Sequence, residues 1–111
     1  MRAYNNRIVH HNAPALKAWR TEIAAHAQKA MQRYNYPAEY PFKVSLRFEL
    51  QKPQRPTRDF PIRPDLDKLV RAVLDALTGV VWVDDSQVTQ IVASKVFGSP
   101  GVLIEVERTD V

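Results

Sequence analysis

The strongest constraint on the fold is a strictly alternating stretch, F-K-V-S-L-R-F-E-L-Q, at residues 42–51. Apolar side chains occupy every second position, namely Phe42, Val44, Leu46, Phe48 and Leu50. Because successive side chains of a β-strand point to opposite faces of a sheet, this period predicts a strand with one buried and one solvent-exposed face. Such a strand needs neighbouring strands along its edges and an apolar layer over its buried face.

Two segments with the period of an amphipathic helix supply that layer. Residues 14–34 start at a proline, are rich in alanine and predict the first helix. Residues 65–77 predict the second helix, and Gly79 follows as a helix-terminating glycine. The apolar positions of the two helices are Leu16, Trp19, Ile23, Ala27 and Met31, then Leu66, Leu69, Val70, Val73, Leu74 and Leu77. Trp19 and Trp82 are expected in the core.

The remainder of the second half predicts short strands joined by turns. Residues 80–83 and 87–97 are expected to form strands, and residues 102–107 to close a hairpin after a turn at 99–101. These elements predict an α+β fold, with two helices on a small sheet that is mainly antiparallel or mixed. The chain has 111 residues without a repeat or linker, so residues 1–111 are expected to form a single domain.

Composition narrows the classes of function. No apolar run approaches the roughly 18 residues of a membrane span, and M-R-A-Y-N-N-R at the N-terminus lacks the apolar part of a secretory signal. A cytoplasmic protein is therefore expected. The absence of cysteine excludes disulfides, thiolate metal sites and a cysteine nucleophile. Sixteen Lys and Arg residues against twelve Asp and Glu residues give a net charge of +4, which suits a protein that binds polyanions such as DNA.

The segment K-P-Q-R-P-T-R-D-F-P-I-R at residues 52–63, called here the basic loop, is cationic and rich in proline. Its three prolines fix φ and remove hydrogen-bond donors, so an extended loop is predicted. Its cations are Lys52, Arg55, Arg58 and Arg63, against a single acid. Two interpretations remain open: a solvated connection of ordinary polarity, or a platform for the phosphates of a nucleic acid.

Two pairs of aspartates flank the second predicted helix, at positions 65 and 67 in R-P-D-L-D-K and at 84 and 85 in V-D-D-S-Q. One interpretation is structural. Asp65 then caps the helix, Asp67 lies at the positive end of the helix dipole, and the second pair occupies a turn. Asp75, four residues after Arg71, is expected to form a surface ion pair with it.

The second interpretation is a metal site. The helix over 65–77 advances roughly 18 Å, and a return strand over 80–85 comes back roughly 16 Å. If the two pack antiparallel, four carboxylates meet at one end, and their repulsion requires a cation. Oxygen ligands without cysteine favour Mg²⁺, or Mn²⁺ as a substitute, and His10 and His11 lack a third ligand at suitable spacing. Beside the basic loop, such a site suits phosphodiester hydrolysis.

The order P-D-L-D-K-L-V-R-A-V-L-D-A-L-T-G, a short gap and W-V-D-D-S-Q-V resembles the RusA-like Holliday junction resolvases, whose core reads P-D-x-D-N, a helix and D-D-S/A-Q. The resemblance covers residues 63–96, and the preceding strand and basic loop agree in order and type. It implies a homodimeric, Mg²⁺-dependent endonuclease that cuts four-way DNA junctions symmetrically. Two metal ligands correspond to Asp65 and Asp67. The third corresponds to Asp84 or Asp85, and Asp85 is preferred because it directly precedes the S-Q of the motif.

The chain departs from the family pattern in three places. Lys68 replaces the asparagine that usually follows the second aspartate, and Arg71 replaces a functionally important lysine. Arginine suffices if that position stabilises charge, but activity is expected to suffer if it must donate a proton near neutral pH. Lys68, one helical turn from Asp65, is then the alternative donor. Finally, the family typically begins with an extra strand and a basic segment before the region equivalent to R-I-V-H-H. Only about a dozen residues precede the first predicted helix here, so either that strand is missing or the start codon is placed too late.

Together these features predict a Mg²⁺-dependent, structure-selective DNA endonuclease that resolves four-way junctions by paired hydrolysis. The four aspartates and Arg71 are the expected catalytic residues. DNA contacts are expected from Lys52, Arg55, Arg58, Arg63 and Lys68. The alternative is a non-catalytic basic DNA-binding module in which the aspartates only cap. Convergence of the carboxylates discriminates between the endonuclease and the binding module, because aspartates that only cap have no reason to lie close together.

Overall fold

A computed structural model describes residues 2–9, 16–32, 34 and 36–109, with side chains from Trp19 onward. The helices and strands are β1 (Arg2–Val9), α1 (Leu16–Met31), β2 (Phe42–Leu50), α2 (Leu66–Leu77), β3 (Val88–Phe97) and β4 (Gly101–Arg108). A 3₁₀ turn, Asp85–Gln87, directly precedes β3. The predicted helix start at Pro14, and also His10 and His11, lie outside the described residues.

The two clearest sequence patterns are confirmed. The alternating stretch forms β2, and the second apolar period forms α2. Gly79 follows the C-terminus of α2 with φ of 85°, a left-handed conformation in which a side chain would be strained. None of the described helices is long and apolar enough to cross a membrane.

The sheet has four strands in the order β1-β4-β2-β3, with β2 in its interior. β4 runs antiparallel to β2, whereas β3 runs parallel to it, so the sheet is mixed and the fold is α+β. The predicted hairpin of β3 and β4 is wrong, because β2 lies between them. A parallel neighbour requires a crossover connection, and the segment containing α2 provides it between β2 and β3.

The chain begins with a strand, β1, over a stretch that includes R-I-V. β1 pairs antiparallel with β4, from Arg2 opposite Glu107 to Val9 opposite Gly101. Two adjacent asparagines at the centre of R-A-Y-N-N-R-I-V interrupt any apolar alternation, so this stretch carries little strand signal of its own. Its pairing depends on the edge that β4 offers, which lies about a hundred residues away in the chain.

One face of the sheet packs against the helices and forms the core. The alternating apolar positions of β2 from Phe42 to Phe48 are all buried. The other core residues are Trp19, Ile23, Ala27 and Met31 of α1, Leu69, Ala72, Val73, Ala76 and Leu77 of α2, Val81 and Trp82, and Val102, Ile104 and Val106 of β4. Both tryptophans therefore occupy the core as predicted. Within the described part of the chain no polar or charged residue is buried, so each described candidate site residue is accessible from the surface.

The predicted strand at 80–83 is a tight turn instead. The N–H of Gly79 donates to the carbonyl of Trp82 at 2.7 Å, and the indole Nε1 of Trp82 donates to Thr78 Oγ1 at 2.9 Å. Val81 and Trp82 are fully buried. The chain thus folds over the end of α2 to insert these two side chains into the core, which prevents it from extending back along the helix.

Candidate active site

Asp65 occupies the N-cap position of α2, but its side chain makes no capping hydrogen bond. Its backbone carbonyl accepts hydrogen bonds from the N–H groups of Lys68 and Leu69, both at 3.1 Å. The carboxylate is 61% exposed and lies 4.0 Å from the ammonium of Lys68. An exposed pair of this kind contributes only about 0–1 kcal/mol, so capping does not explain why an aspartate stands here.

The capping interpretation is confirmed for Asp84. Its carboxylate accepts a hydrogen bond from the N–H of Ser86 at 2.8 Å, at the start of the 3₁₀ turn. This backbone hydrogen bond stabilises the anion and lowers the pKa of Asp84 below its ordinary value. Asp85 is the next residue and is exposed. Residues 84–87 are called the acidic turn below.

A surface groove of about 920 Å³ runs beside α2 and reaches the acidic turn. Leu66, Val70 and Leu74 provide its apolar lining, and its polar lining consists of Asp67, Lys68, Arg71, Asp75 and Asp85. Asp67, Arg71 and Asp75 stand on successive turns of α2, which separates neighbouring Cβ atoms by about 5–6 Å. The groove therefore brings together four of the predicted site residues from two elements that are distant in sequence.

The four aspartates do not form one compact cluster. Among the residues that the structure describes, no three histidine or acidic side chains are grouped so that they could hold a metal ion. The acidic turn directly precedes the first residue of β3, whereas Lys95, late in β3, donates to the carbonyl of Pro64 just before α2. Asp67 and Asp85, one residue of each pair, nevertheless line the same groove. The expected meeting of all four carboxylates is not seen among the described residues, and residues 80–83 form a turn with two side chains in the core rather than a strand that returns along α2.

Arg71 faces the groove without a protein partner in the described part of the chain. Asp75, its expected partner, pairs instead with Arg20 of α1, where Nη1 and Oδ2 are 3.4 Å apart. No ion pair or side-chain hydrogen bond is seen for Arg71 among the described residues, and the residue is exposed. Its guanidinium is consequently available for an anion that enters the groove.

The basic loop is an exposed segment without regular secondary structure, as predicted. The guanidinium of Arg58 donates to the neighbouring carbonyl of Thr57 at 3.1 Å, and the ammonium of Lys52 lies 5.9 Å from the centre of the Phe97 ring. The end of the loop is fixed to the sheet. Lys95 Nζ donates to the carbonyls of Ile62 at 2.8 Å and Pro64 at 3.0 Å, which ties the entry of α2 to β3.

Gln87 holds the acidic turn in place with both ends of its amide. Its Oε1 accepts hydrogen bonds from the N–H groups of Val83 at 2.9 Å and Asp84 at 3.0 Å. Its Nε2 donates to the carbonyls of Ala38 at 2.8 Å and Tyr40 at 3.0 Å, in the loop that leads into β2. The turn that carries Asp85 is therefore bonded to a segment far from it in sequence.

The loop that receives Gln87 is itself ordered by aromatic contacts. The hydroxyls of Tyr36 and Tyr40 are 2.7 Å apart, and the guanidinium of Arg108 lies 4.4 Å from the centre of the Tyr40 ring. Burial, together with the hydrogen bond to Tyr40, raises the pKa of Tyr36 well above its ordinary value. Tyr36 is thus a neutral hydroxyl at physiological pH, and the loop is a stable support for the acidic turn.

Sequence reasoning missed the roles of Gln87 and Lys95. For Gln87 a signal exists, because an aspartate followed three residues later by glutamine is the pattern of a capping box, and both halves of that box are present. Lys95 has no comparable signal. Its acceptors lie 31 and 33 residues earlier in the chain, and nothing local to β3 predicts that a lysine reaches them.

A basic α+β domain that presents carboxylates, an unpaired guanidinium and a cationic loop on one side has the groups that a nuclease requires. The comparison with known families agrees. The sequence model of Endodeoxyribonuclease RusA matches residues 2–107, and the chain belongs to this family. Membership makes the protein a DNA endonuclease, a hydrolase of DNA recombination whose family acts on branched DNA. No curated protein matches the sequence.

Proposed function

We propose that this protein is a Mg²⁺-dependent, structure-selective endonuclease that resolves four-way DNA junctions by paired phosphodiester hydrolysis. The observation that carries the proposal is the groove along α2, where Asp67, Arg71 and Asp85 lie together in a member of a DNA endonuclease family. Carboxylates suit a metal ion and a guanidinium suits a phosphate, so the groove unites the two kinds of group that this hydrolysis needs.

The donor atoms of the groove fit a hard cation. Proteins bind Mg²⁺ through one or two carboxylates together with waters and substrate phosphates, and Asp67 and Asp85 line the same groove. Asp65, exposed at the start of α2, is proposed as the third ligand; it is not in the groove lining, so its carboxylate would have to turn towards the cation when the ion binds. When bound, Mg²⁺, or Mn²⁺ in its place, supplies a water of lowered pKa and stabilises negative charge on the phosphate. Asp84 contributes indirectly, because it caps the turn that carries Asp85.

Arg71 has an electrostatic role in this proposal. A guanidinium does not release its proton near neutral pH, so Arg71 does not act as a general acid. It can donate two parallel hydrogen bonds to a phosphate and stabilise the charge that develops there. The ammonium of Lys68 lies 4.0 Å from the carboxylate of Asp65, and it adds a positive charge for DNA at the same end of α2.

The basic loop supplies the remaining DNA contacts. Lys52, Arg55, Arg58 and Arg63 are exposed and lead directly into the acidic start of α2. Contacts between such side chains and phosphates position a nucleic acid without reading its sequence. Recognition by backbone contacts suits an enzyme that selects a branched shape.

We further propose a homodimer. Paired cuts across a four-way junction require two active sites in a symmetric arrangement, and one chain offers a single groove of this kind in its described part. A C₂ dimer is the simplest assembly that provides two sites related by the approximate symmetry of the junction.

The deciding experiment compares wild-type protein with Asp67→Asn on a synthetic four-way junction. Wild type is expected to cut the junction in Mg²⁺ but not in EDTA. Asp67→Asn is expected to lose at least about 100-fold in cleavage rate, as loss of a charge-stabilising group commonly does. Junction binding in EDTA should stay the same or tighten, because a negative charge near the phosphates is removed. The helix should lose only about 0.3–1 kcal/mol from the dipole term.

Asp59→Asn is the matched control, since it removes the same charge from the basic loop rather than from the groove. It should cut junctions at the wild-type rate. If Asp67→Asn also cuts at the wild-type rate, or if wild type binds junctions without cutting them in Mg²⁺, the aspartates only cap and the protein is a binding module.

A further inference from the structure

A second pocket lies under the basic loop, separate from the groove along α2. It has a volume of about 280 Å³. Its apolar walls include Leu50 and Phe97 of the strand ends and Phe60 and Ile62 of the loop, while Arg58 and Arg63 contribute its charged lining. An apolar pocket with two guanidinium groups suits a ligand that is flat and apolar at one end and anionic at the other.

Phe60 and Ile62 are unusually exposed for large apolar side chains, at 58% and 49%. Single exposed apolar residues are common on protein surfaces. Here, however, an aromatic and a branched aliphatic side chain stand two positions apart on one loop and line the same pocket. The aromatic ring therefore offers free surface at the edge of a concave site.

The loop that carries these side chains is constrained. Three prolines restrict φ within residues 52–63. Lys95 then fixes the carbonyls of Ile62 and Pro64 at 2.8 and 3.0 Å. A ring held on a restrained loop loses little conformational entropy when a ligand stacks on it, which favours binding.

Charge identifies the ligand class. Residues 52–63 contain four cations and one acid, so the loop carries a net charge of +3 around the apolar pocket. The ammonium of Lys52 lies 5.9 Å from the centre of the Phe97 ring, which places a further cation beside the pocket wall. An apolar peptide or a second copy of this basic chain would not match that charge, whereas a nucleotide matches both the apolar and the cationic parts.

We propose that this pocket takes one nucleobase extruded from the branch point of the DNA, stacked on Phe60, with its flanking phosphates held by the arginines of the loop. The inference rests on the proposed action on branched DNA and extends it to substrate selection. Extruding a base costs free energy for the lost pairing and stacking. We expect this cost to be smaller at a branch point, where the helix is interrupted, than within a continuous duplex. The pocket therefore favours branched over linear DNA.

The test measures binding in EDTA of a fluorescently labelled four-way junction and of a linear duplex, over a series of salt concentrations. Phe60→Ala should weaken junction binding by about 5- to 140-fold, the range expected for one base stacked on an aromatic ring. Phe60→Leu should also weaken it, whereas Phe60→Trp should restore it, because indole keeps the aromatic face. Binding to the duplex should change little.

Arg55→Ala is the matched control in the same loop. It should reduce the steepness of the slope of log K against log salt concentration by about 0.9, because one phosphate contact is lost. Phe60→Ala should leave that slope unchanged, since stacking releases no counterions. In a junction with 2-aminopurine at the branch point, wild type should alter the fluorescence, and saturating Phe60→Ala should leave it as in the free junction.

Three results would overturn the inference: wild-type junction affinity for Phe60→Ala, equal loss on junction and duplex, or a change in the sedimenting mass of Phe60→Ala, which would make Phe60 an interface residue. A short single-stranded oligothymidine separates this failure from failure of the proposed function. If wild type binds no junction but binds the oligothymidine through Phe60, the base pocket is supported and the proposed action on four-way junctions is rejected. If neither DNA depends on Phe60, the base pocket falls whatever the cleavage assay shows.

Discussion

At the scale of single residues, Gln87 has the most demanding environment near the acidic turn. Its amide accepts two hydrogen bonds from the turn and donates two to the loop before β2, all between 2.8 and 3.0 Å. Asparagine is too short to span the same partners, and glutamate would set an oxygen against two carbonyl oxygens. Gln87 therefore acts as a positioning residue for Asp85 rather than as a group that meets the substrate.

Gln87→Ala is expected to lower the free energy of unfolding by about 1–3 kcal/mol, because partly buried backbone groups lose their partners. Junction cleavage by the folded protein should fall by as much as about 100-fold, since a small displacement of a reacting group has effects of that order. The measurements are urea unfolding, and single-turnover cleavage well below the thermal midpoint.

Gln90→Ala, at an exposed glutamine of β3, is the control for general effects of losing an amide. It should match wild type in both measurements. A Gln87→Ala protein that is less stable but cleaves normally when folded would show that Gln87 supports the fold alone.

At the scale of elements, the basic loop and α2 work as one unit. The loop ends where Lys95 fixes the carbonyls of Ile62 and Pro64, and α2 begins directly afterwards with Asp65 at its N-cap. The basic loop is therefore connected to Asp65 and Asp67 by a short segment whose backbone is held by Lys95. In the proposed function, this connection would direct a phosphate bound along the loop towards Asp67 and Arg71.

Replacing Arg55, Arg58 and Arg63 together by alanine is expected to weaken junction binding and to flatten its salt dependence. Each lost phosphate contact lowers the slope of log K against log salt by about 0.9, so three contacts lower it by about 2.7. Fluorescence anisotropy across a salt titration measures this slope directly.

Arg47→Ala provides the comparison, because Arg47 lies on β2, outside the basic loop, where its Nε is 3.9 Å from Glu49. Its removal should leave the salt slope near the wild-type value. An unchanged slope in the triple variant would contradict a phosphate-binding role for the loop.

At the scale of the whole molecule, the architecture concentrates the candidate chemistry in one connection between two strands. The core lies between the helices and one face of the sheet, and the other face of β2 carries Lys43, Ser45, Arg47 and Glu49. The groove, the acidic turn and the basic loop all belong to the segment that crosses from β2 to β3. One crossover connection therefore supplies every proposed site residue.

The homodimer predicts a sedimenting mass twice the 12.7 kDa of one chain. It also predicts the outcome of mixing wild type with excess Asp67→Asn. Mixed dimers should nick a plasmid cruciform on one strand, whereas wild-type dimers should make both cuts and linearise it. A monomeric mass, or linear product in unchanged proportion after subunit exchange, would exclude paired hydrolysis by a dimer.

The sequence by itself determined the elements whose signal is local. The alternation of β2 and the apolar faces of the helices are confirmed, because a residue's burial follows from the period of its own segment. The prolines of the basic loop predict its extended, exposed course for the same reason. The paired aspartates and the D-D-S-Q motif also predict the family, and this is confirmed over residues 2–107.

Only the tertiary structure decided how these elements meet. Strand order cannot be predicted from local sequence, because the backbone edges of all strands offer the same hydrogen-bonding groups. In the structure β4 lies between β1 and β2, so it forms no hairpin with β3. Burial of Val81 and Trp82 turned a predicted strand into a tight turn. The contacts of Gln87 with the loop before β2, and those of Lys95 with the entry of α2, span between 31 and 49 residues of chain. No local pattern encodes such contacts, because each partner is chosen by the packing of the whole fold.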